Sequence, residues 1–185
     1  GKLVEAMAVA SANDAAMAVA EGLWGSEERC LRAMDARALE LDMDLTGFHS
    51  VHGLPPDRGE KPDQTTARDM AKLALACVRH GQLLGWTCRK QCHFREGDAP
   101  VHNTNKLLWR YEGCDGLKTG YIRAAGFCIA ATAARDGHRL IAVVMGERSN
   151  NGRFKRAAQV LDQGFAALRE QHAEADTVSA PMRSE

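Results

Sequence analysis

Apolar residues recur at helical spacing from the first positions of the chain, with Leu3, Val4, Met7, Ala8 and Val9 forming one face of a repeat that lasts until Ser11. A second apolar series runs from Ala15 through Trp24, so two helices are expected to meet at a Ser11-Ala12-Asn13 turn. Asn13 or Asp14 is the expected cap of the second helix, because short polar side chains accept the free amide hydrogens of a first turn. Gly25 should end it. Ser26, Glu27 and Glu28 predict a third helix, with the serine as cap and the acids where the helix dipole favours them, reaching about Met43. Residues 44–64 are rich in Gly, Pro, His and Asp and read as an irregular loop. Thr65 or Thr66 then caps a helix to about Arg79, with Leu73, Ala76 and Cys77 on its buried face and Gly81 as its stop.

The period changes after Trp86. Residues 87–94 alternate loosely, as a strand does, and residues 95–105 read as polar loop. Three more strands are expected at 115–122, 127–134 and 140–145, with Asp136-Gly137 as a hairpin turn between the last two. Helical spacing returns at 150–170, and residues 171–185 form a polar tail expected to fray. Helices, then consecutive antiparallel strands, then a closing helix predict an α+β fold rather than a parallel α/β sheet.

A chain of 185 residues, 45% of them apolar, can bury one substantial core. Lys plus Arg and Asp plus Glu each number 24 and are interspersed, so there is no electrostatic footprint for nucleic acid or an anionic membrane. The expected partner is a small or peptidic ligand. No stretch approaches the roughly 20 consecutive apolar residues that span a bilayer. Gly1 falls directly before a helical pattern and no export signal is visible, so the chain is expected to start inside a longer domain. Six cysteines show no disulfide framework spacing, and Cys88-x-x-x-Cys92-His93 lacks the second close pair a structural zinc site would use. The histidines show no ligand spacing either, so neither a metal nor any other cofactor is expected.

The candidate chemistry lies in two short strings. Ser11 and Asn13 share one tight turn, so a hydroxyl and an amide can enter the same cleft. Lys118 is followed by Thr119, Gly120 and Tyr121 in a strand-like run, where the glycine leaves room for a ligand's backbone and an edge strand can receive a peptide. None of Ser11, Ser26, Ser50, Ser149, Ser179 or Ser184 has a lysine three residues on, so a Ser-x-x-Lys nucleophile motif is missing from the sequence.

These strings have company in order. The series comprises Ser11-Ala12-Asn13-Asp14-Ala15-Ala16, Gly25-Ser26-Glu27-Glu28, His52-Gly53-Leu54, Thr66-Ala67-Arg68-Asp69, Asn103-Thr104-Asn105-Lys106-Leu107-Leu108, Asp115-Gly116-Leu117-Lys118-Thr119-Gly120, Ala125-Gly126 and Asp162-Gln163-Gly164-Phe165. Over residues 1–166 the chain resembles the serine-type D-alanyl-D-alanine carboxypeptidases, the low-molecular-mass penicillin-binding proteins. The resemblance implies a penicillin-binding protein or serine β-lactamase-like fold, a helical subdomain plus antiparallel sheet, incomplete at its N-terminus. Residues 1–168 would be a partial catalytic domain and 169–185 a tail.

It further implies roles. Ser11 would relay a proton to Lys118 or the leaving amine, and Asn13 would hydrogen-bond the acyl side of the substrate. Lys118, Thr119 and Gly120 would line the substrate's terminal carboxylate region, and the Tyr121 amide would be one oxyanion donor. Arg153 would contact the substrate carboxylate, with Arg148 a competing candidate and a solvated helix-terminus charge the plain alternative for either. The implied substrate is a peptidoglycan stem peptide ending in D-Ala-D-Ala, cut through an acyl-enzyme outside the cytoplasm, with β-lactams captured the same way. Without its nucleophile this chain is expected to be inactive alone and to self-associate through exposed strand edge and apolar surface. The alternatives are a non-catalytic peptidoglycan- or penicillin-binding module and a class A β-lactamase relative. The latter's Glu-x-x-Leu-Asn-like loop pattern is missing between Asn13 and Lys118.

Overall fold

The computed structural model describes residues 1–94 and 99–179. Three helices open the chain: α1 (Lys2–Ala10), α2 (Asn13–Trp24) and α3 (Glu27–Glu40). Ser11 ends α1 in the left-handed region (φ 57, ψ 41), which reverses the chain within two residues. The expected side-chain cap on α2 is not found: its cap position is Ala12, Asn13 is already the first helical residue, and Asp14 only accepts from the adjacent Ala15 amide at 2.8 Å. The reversal at Ser11 instead places Ala12 with its N–H on the Ala6 carbonyl at 3.3 Å, so the turn is built from backbone. Gly25 (φ 80) closes α2, and Ser26 accepts from the Arg29 amide, as its sequence position predicts. The third helix ends at Glu40, short of Met43, because Asp42 turns left-handed (φ 55) and tucks Met43 into the core.

Loop 44–64 carries one isolated bridge, Gly47 to Gln64, and is pinned by a residue beyond it. Thr66 caps α4 (Ala67–Val78) through the Asp69 amide, and the buried Asp69 carboxylate accepts from the Leu45 amide at 3.0 Å and the Thr46 hydroxyl at 2.9 Å. Asp69 and Ala74 are therefore the buried residues of α4, while Leu73, Ala76 and Cys77 are only half-buried.

The sequence reading fails most clearly at residues 81–94. Gly81 begins a helix, α5 (Gly81–Thr87), and the expected strand shrinks to β1 (Gln91–Cys92), paired with β2 (Val101–His102) inside the expected loop. A seven-residue helix with two glycines has weak intrinsic propensity, so tertiary contacts hold it. Residues 95–98 of that expected loop lie outside the described residues.

After α6 (Leu107–Arg110) come β3 (Cys114–Ile122), β4 (Gly126–Arg135) and β5 (His138–Glu147), an antiparallel sheet in the order β3-β4-β5. Asp136 (φ 50) and Gly137 (φ 77) form the predicted two-residue hairpin turn. Strand alternation sends Ile129, Ala131, Ala133, Ala142 and Val144 to one face, where they pack on Phe154, Ala157, Leu161 and Phe165 of α7 (Asn150–Ser179). The helix continues through 171–179, where fraying was expected, because no Gly or Pro interrupts helix-forming residues before Pro181. Residues 180–185 of the expected tail lie outside the described residues.

Gly113 sets the entry into β3. It sits at φ 76, and a Cβ there would lie 2.2 Å from the Ala134 carbonyl oxygen, whereas Gly59 (φ 97) faces open space. Gly113→Ala is expected to lower stability by at least about 2 kcal/mol in urea denaturation, and Gly59→Ala by clearly less. Equal losses would show that the close approach at Gly113 is not what requires glycine.

Candidate active site

The terminal strand of the sheet, β3, has an outer edge with two halves of different character. Its first half is covered: Thr87 at the end of α5 donates to the Asp115 carbonyl at 3.1 Å, and the Asn105 side chain donates to the Gly116 carbonyl at 3.0 Å. From Lys118 onward it is open, so a ligand can approach only the half that carries the candidate chemistry.

Two fully buried asparagines make that cover. The Asn103 amide donates to the carbonyls of Thr87 (3.2 Å) and Arg89 (2.9 Å) and accepts from the Asn105 N–H at 2.8 Å. The Asn105 side chain in turn accepts from the Leu107 N–H at 3.0 Å. Removing either would strand buried carbonyl or amide groups, at about 1–3 kcal/mol each. Between them, Thr104 donates its N–H to the Val9 carbonyl at 3.2 Å and accepts from the Thr119 hydroxyl at 2.7 Å. One residue thereby ties the last turn of α1 to β3 and sets the distance between the two walls.

Across that distance Lys118 Nζ donates to Ser11 Oγ at 2.7 Å, joining positions 107 residues apart. Its other contact is the Thr119 carbonyl at 2.8 Å. Burial, and then the positive charge of Arg153, lower its pKa from 10.5 to about 8. Both effects disfavour an ammonium that has no carboxylate partner among its contacts. Ser11 is exposed, and Asn13 stands two residues away as the exposed first residue of α2.

Arg153 is not the solvated helix-terminus charge that was one reading of it. Only 6% of it is exposed, its Nη1 donates to the carbonyls of Gly120 (3.0 Å) and Cys128 (3.2 Å), and its Nε is buried without a partner. Its guanidinium lies over the rings of Phe127 and Phe154, at 5.5 Å and 4.9 Å from their centroids. Burial lowers its own pKa too. Arg148, the competing candidate, is exposed. Thr119 is buried against Thr104, and nothing lies within 4 Å of where a Cβ on Gly120 would stand. Tyr121 is 57% exposed and stacks on Phe127 with centroids 4.2 Å apart.

The structure thus brings Ser11 against Lys118, with Thr119, Gly120 and Tyr121 following along the same strand and Arg153 beneath it, while Asn13 is exposed two residues from Ser11. Sequence reasoning missed Thr87 and the bracing roles of Asn103, Thr104 and Asn105. The signal for the last three was their place in the Asn103-Thr104-Asn105-Lys106-Leu107-Leu108 string of the resemblance, which did not say what they brace; Thr87 had none. Behind Lys118, on the face of the sheet away from α7, lies a cavity of about 320 Å³ lined by Met70, Ala130, Val143 and Met145 among others. All six cysteines are free, and among the described residues no cluster of three or more His, Cys, Asp or Glu could hold a metal ion.

Comparison with known proteins decides the family. The sequence pattern of the D-alanyl-D-alanine carboxypeptidase peptidases matches residues 1–149. The chain belongs to that peptidase family. It is 33% identical over 168 residues to the D-alanyl-D-alanine carboxypeptidase DacF of Bacillus subtilis, covering 89% of this chain and 42% of that protein. With DacC of Escherichia coli it shares 35% over 159 residues, 85% of this chain and 38% of that one. The fold agrees: penicillin-binding protein D2 of Listeria monocytogenes in its ampicillin-bound form superposes with a TM-score of 0.80 at 33% identity, covering 89% of this chain and 66% of that one. Penicillin-binding protein 6B of Escherichia coli gives 0.79 at 34%, covering 88% and 50%. The α+β architecture of penicillin-binding proteins is therefore the fold of this chain, which spans about 40% of the two curated carboxypeptidases named. No helix among the described residues is long and apolar enough to cross a membrane.

Lys118 gives this opening a measurable signature. Nitrogen-15 NMR should find it half-deprotonated near pH 8, and Arg153→Met should raise that midpoint only part-way, since burial remains the larger cause. In the unfolded chain the same amine keeps its proton to about 10.4. Between the two values the unfolded state binds more protons, so stability should rise as pH rises through that window. A midpoint above 10 in the folded protein would refute the buried, charge-opposed environment described here.

Proposed function

We propose that this chain carries the proton-relay and substrate-binding half of a serine-type D-Ala-D-Ala carboxypeptidase site. The observation that carries the reading is the 2.7 Å contact between Lys118 and Ser11, which sets the two motifs on facing walls of one opening. A stem peptide would lie along the open half of β3 as an added strand, with its terminal carboxylate near Thr119 and Gly120. Lys118 and Ser11 would pass a proton to the departing D-Ala amine, and Asn13 would hydrogen-bond the acyl side. The Tyr121 amide, two residues beyond Thr119 on the same strand edge, would be one of two donors to the developing oxyanion. Arg153, held beneath Gly120, would supply positive potential to the carboxylate while fixing the strand.

The attacking serine and its activating lysine would come from a Ser-x-x-Lys segment that the sequence does not contain. The cavity behind Lys118 is apolar-lined and next to the amine, which suits a helix carrying that motif. Such an enzyme works on the cell wall outside the cytoplasm, and β-lactams would acylate it as they mimic the acyl donor. The missing motif favours a second reading for the chain by itself, a non-catalytic module that binds peptidoglycan or penicillin.

The two readings part in one experiment. A chimera that places a Ser-x-x-Lys-bearing segment before Gly1 should be covalently labelled by fluorescent penicillin. Lys118→Ala should cut that labelling by about a hundredfold or more. The 185-residue chain alone should stay unlabelled. A folded chimera that is not labelled would leave the binding module as the better account. With the second half of β3 and the far side of β5 lacking a partner strand and an apolar cavity open, the chain alone is also expected to self-associate. A monomer in sedimentation velocity at all concentrations would contradict that.

A further inference from the structure

Ser11 holds an unusual place for a serine. Among the described residues, three that are not glycine adopt positive φ: Ser11, Asp42 and Asp136. Aspartate tolerates that conformation through local hydrogen bonds, whereas for serine it is uncommon. The strain is held by the backbone reversal onto Ala6, and its result is an exposed hydroxyl at the tip of a tight turn between two helices. Backbone held in a sparsely populated conformation clusters at functional sites, which makes this hydroxyl a candidate for chemistry.

The partner of that hydroxyl is equally specific. Lys118 Nζ is fixed on one side by the Thr119 carbonyl at 2.8 Å and on the other by Ser11 Oγ at 2.7 Å. Once the amine has lost a proton, its lone pair can accept the hydroxyl proton of Ser11. We propose that Ser11 and Lys118 form a nucleophile and base pair, making the exposed Ser11 hydroxyl a site of covalent modification by compact activated sulfonyl or acyl donors. This goes beyond the relay role, in which Ser11 only passes a proton and forms no bond to carbon or sulfur.

With phenylmethanesulfonyl fluoride the step balances simply. Ser11 Oγ forms a bond to sulfur, the sulfur–fluorine bond breaks, fluoride leaves, and the hydroxyl proton moves to Lys118 Nζ. No oxidant or second reactant is needed. A compact electrophile with a good leaving group requires only the nucleophile and its base, whereas a β-lactam also needs two aimed oxyanion donors. The pair can therefore react with the first and leave penicillin untouched.

The groups around Lys118 define when this happens. Arg153 approaches from α7, Cys128 lies on β4, and Asp63 of the long loop lines the same cavity. Burial and Arg153 together bring deprotonation to about pH 8, inside the range where the protein can be assayed.

The test is to treat the 185-residue chain with phenylmethanesulfonyl fluoride between about pH 6 and 9.5 and map the adduct by peptide mass. The expected adduct is on Ser11, forming at a rate that rises through pH 8 and then levels, while Ser26 and Ser50 stay unmodified. Lys118→Arg keeps the positive charge but cannot serve as a base, and should slow the reaction by about a hundredfold. Ser11→Ala should remove the adduct. No adduct on Ser11 at pH 9, or wild-type rates in a folded Lys118→Arg protein, would overturn the proposal. The wild-type pH profile decides independently of any variant, because an unassisted serine gives a rate that keeps climbing past pH 8 without levelling. Failure of the penicillin-labelled chimera would leave this outcome unaffected, since the pair needs no supplied motif.

Discussion

The contact between Lys118 and Ser11 is the constraint on which the rest of the structure turns. An ammonium buried without a carboxylate is costly, and a serine in the left-handed region is strained, so neither arrangement would persist without a surrounding frame. That frame is visible. Asn103 and Asn105 stitch the end of α5 to the first half of β3, Thr104 fixes α1 to Thr119, and Arg153 clamps Gly120 to Cys128 from below. Each of these side chains is buried or half-buried and hydrogen-bonded to main chain or to another side chain at the site. The helical unit and the sheet meet at this seam, and the opening between them is the candidate active site.

Arg153 acts on the site in two ways at once. Its Nη1 holds the end of β3, while its charge pushes the Lys118 amine toward neutrality. A guanidinium at the first turn of a helix is also opposed by the helix dipole. Contact with two aromatic faces and two carbonyls offsets that penalty, while the Nε is buried without a partner. This explains why Arg153, for which a solvated surface charge was the plain alternative reading, lies almost wholly inside.

Much of the fold was legible because its long elements carry plain periodicity. The strands around Lys118, Ile129 and Val144 are long apolar-rich runs bounded by turn residues, and Asp136-Gly137 names its own turn. Ser26 and Thr66 cap their helices as short hydroxyl side chains do. The failures share a cause, in that tertiary contacts overrode weak local signals. The helix α5 forms over two glycines because Thr87 must reach Asp115, and the turn at Ser11 is made by backbone where a side-chain cap was expected. At the site, Ser11, Asn13 and Lys118 through Tyr121 could be read as motifs, but their convergence could not, since 107 residues separate its two key atoms. Asn103, Thr104 and Asn105 stood in the series that carries the resemblance, but Thr104's role could not be read there because it is a distance between walls rather than a chemistry of its own.

The account stands or falls on whether the turn at Ser11 and the strand at Lys118 face each other in solution. Isotope-filtered nuclear Overhauser measurements between the Ser11 β protons and the Lys118 ε methylene test this directly. A clear cross-peak, accompanied by one between the side chains of Thr104 and Thr119, is the result predicted here. Its absence in the folded protein, with the Lys118 methylene instead contacting only residues of its own sheet, would contradict the shared opening and the family site built upon it.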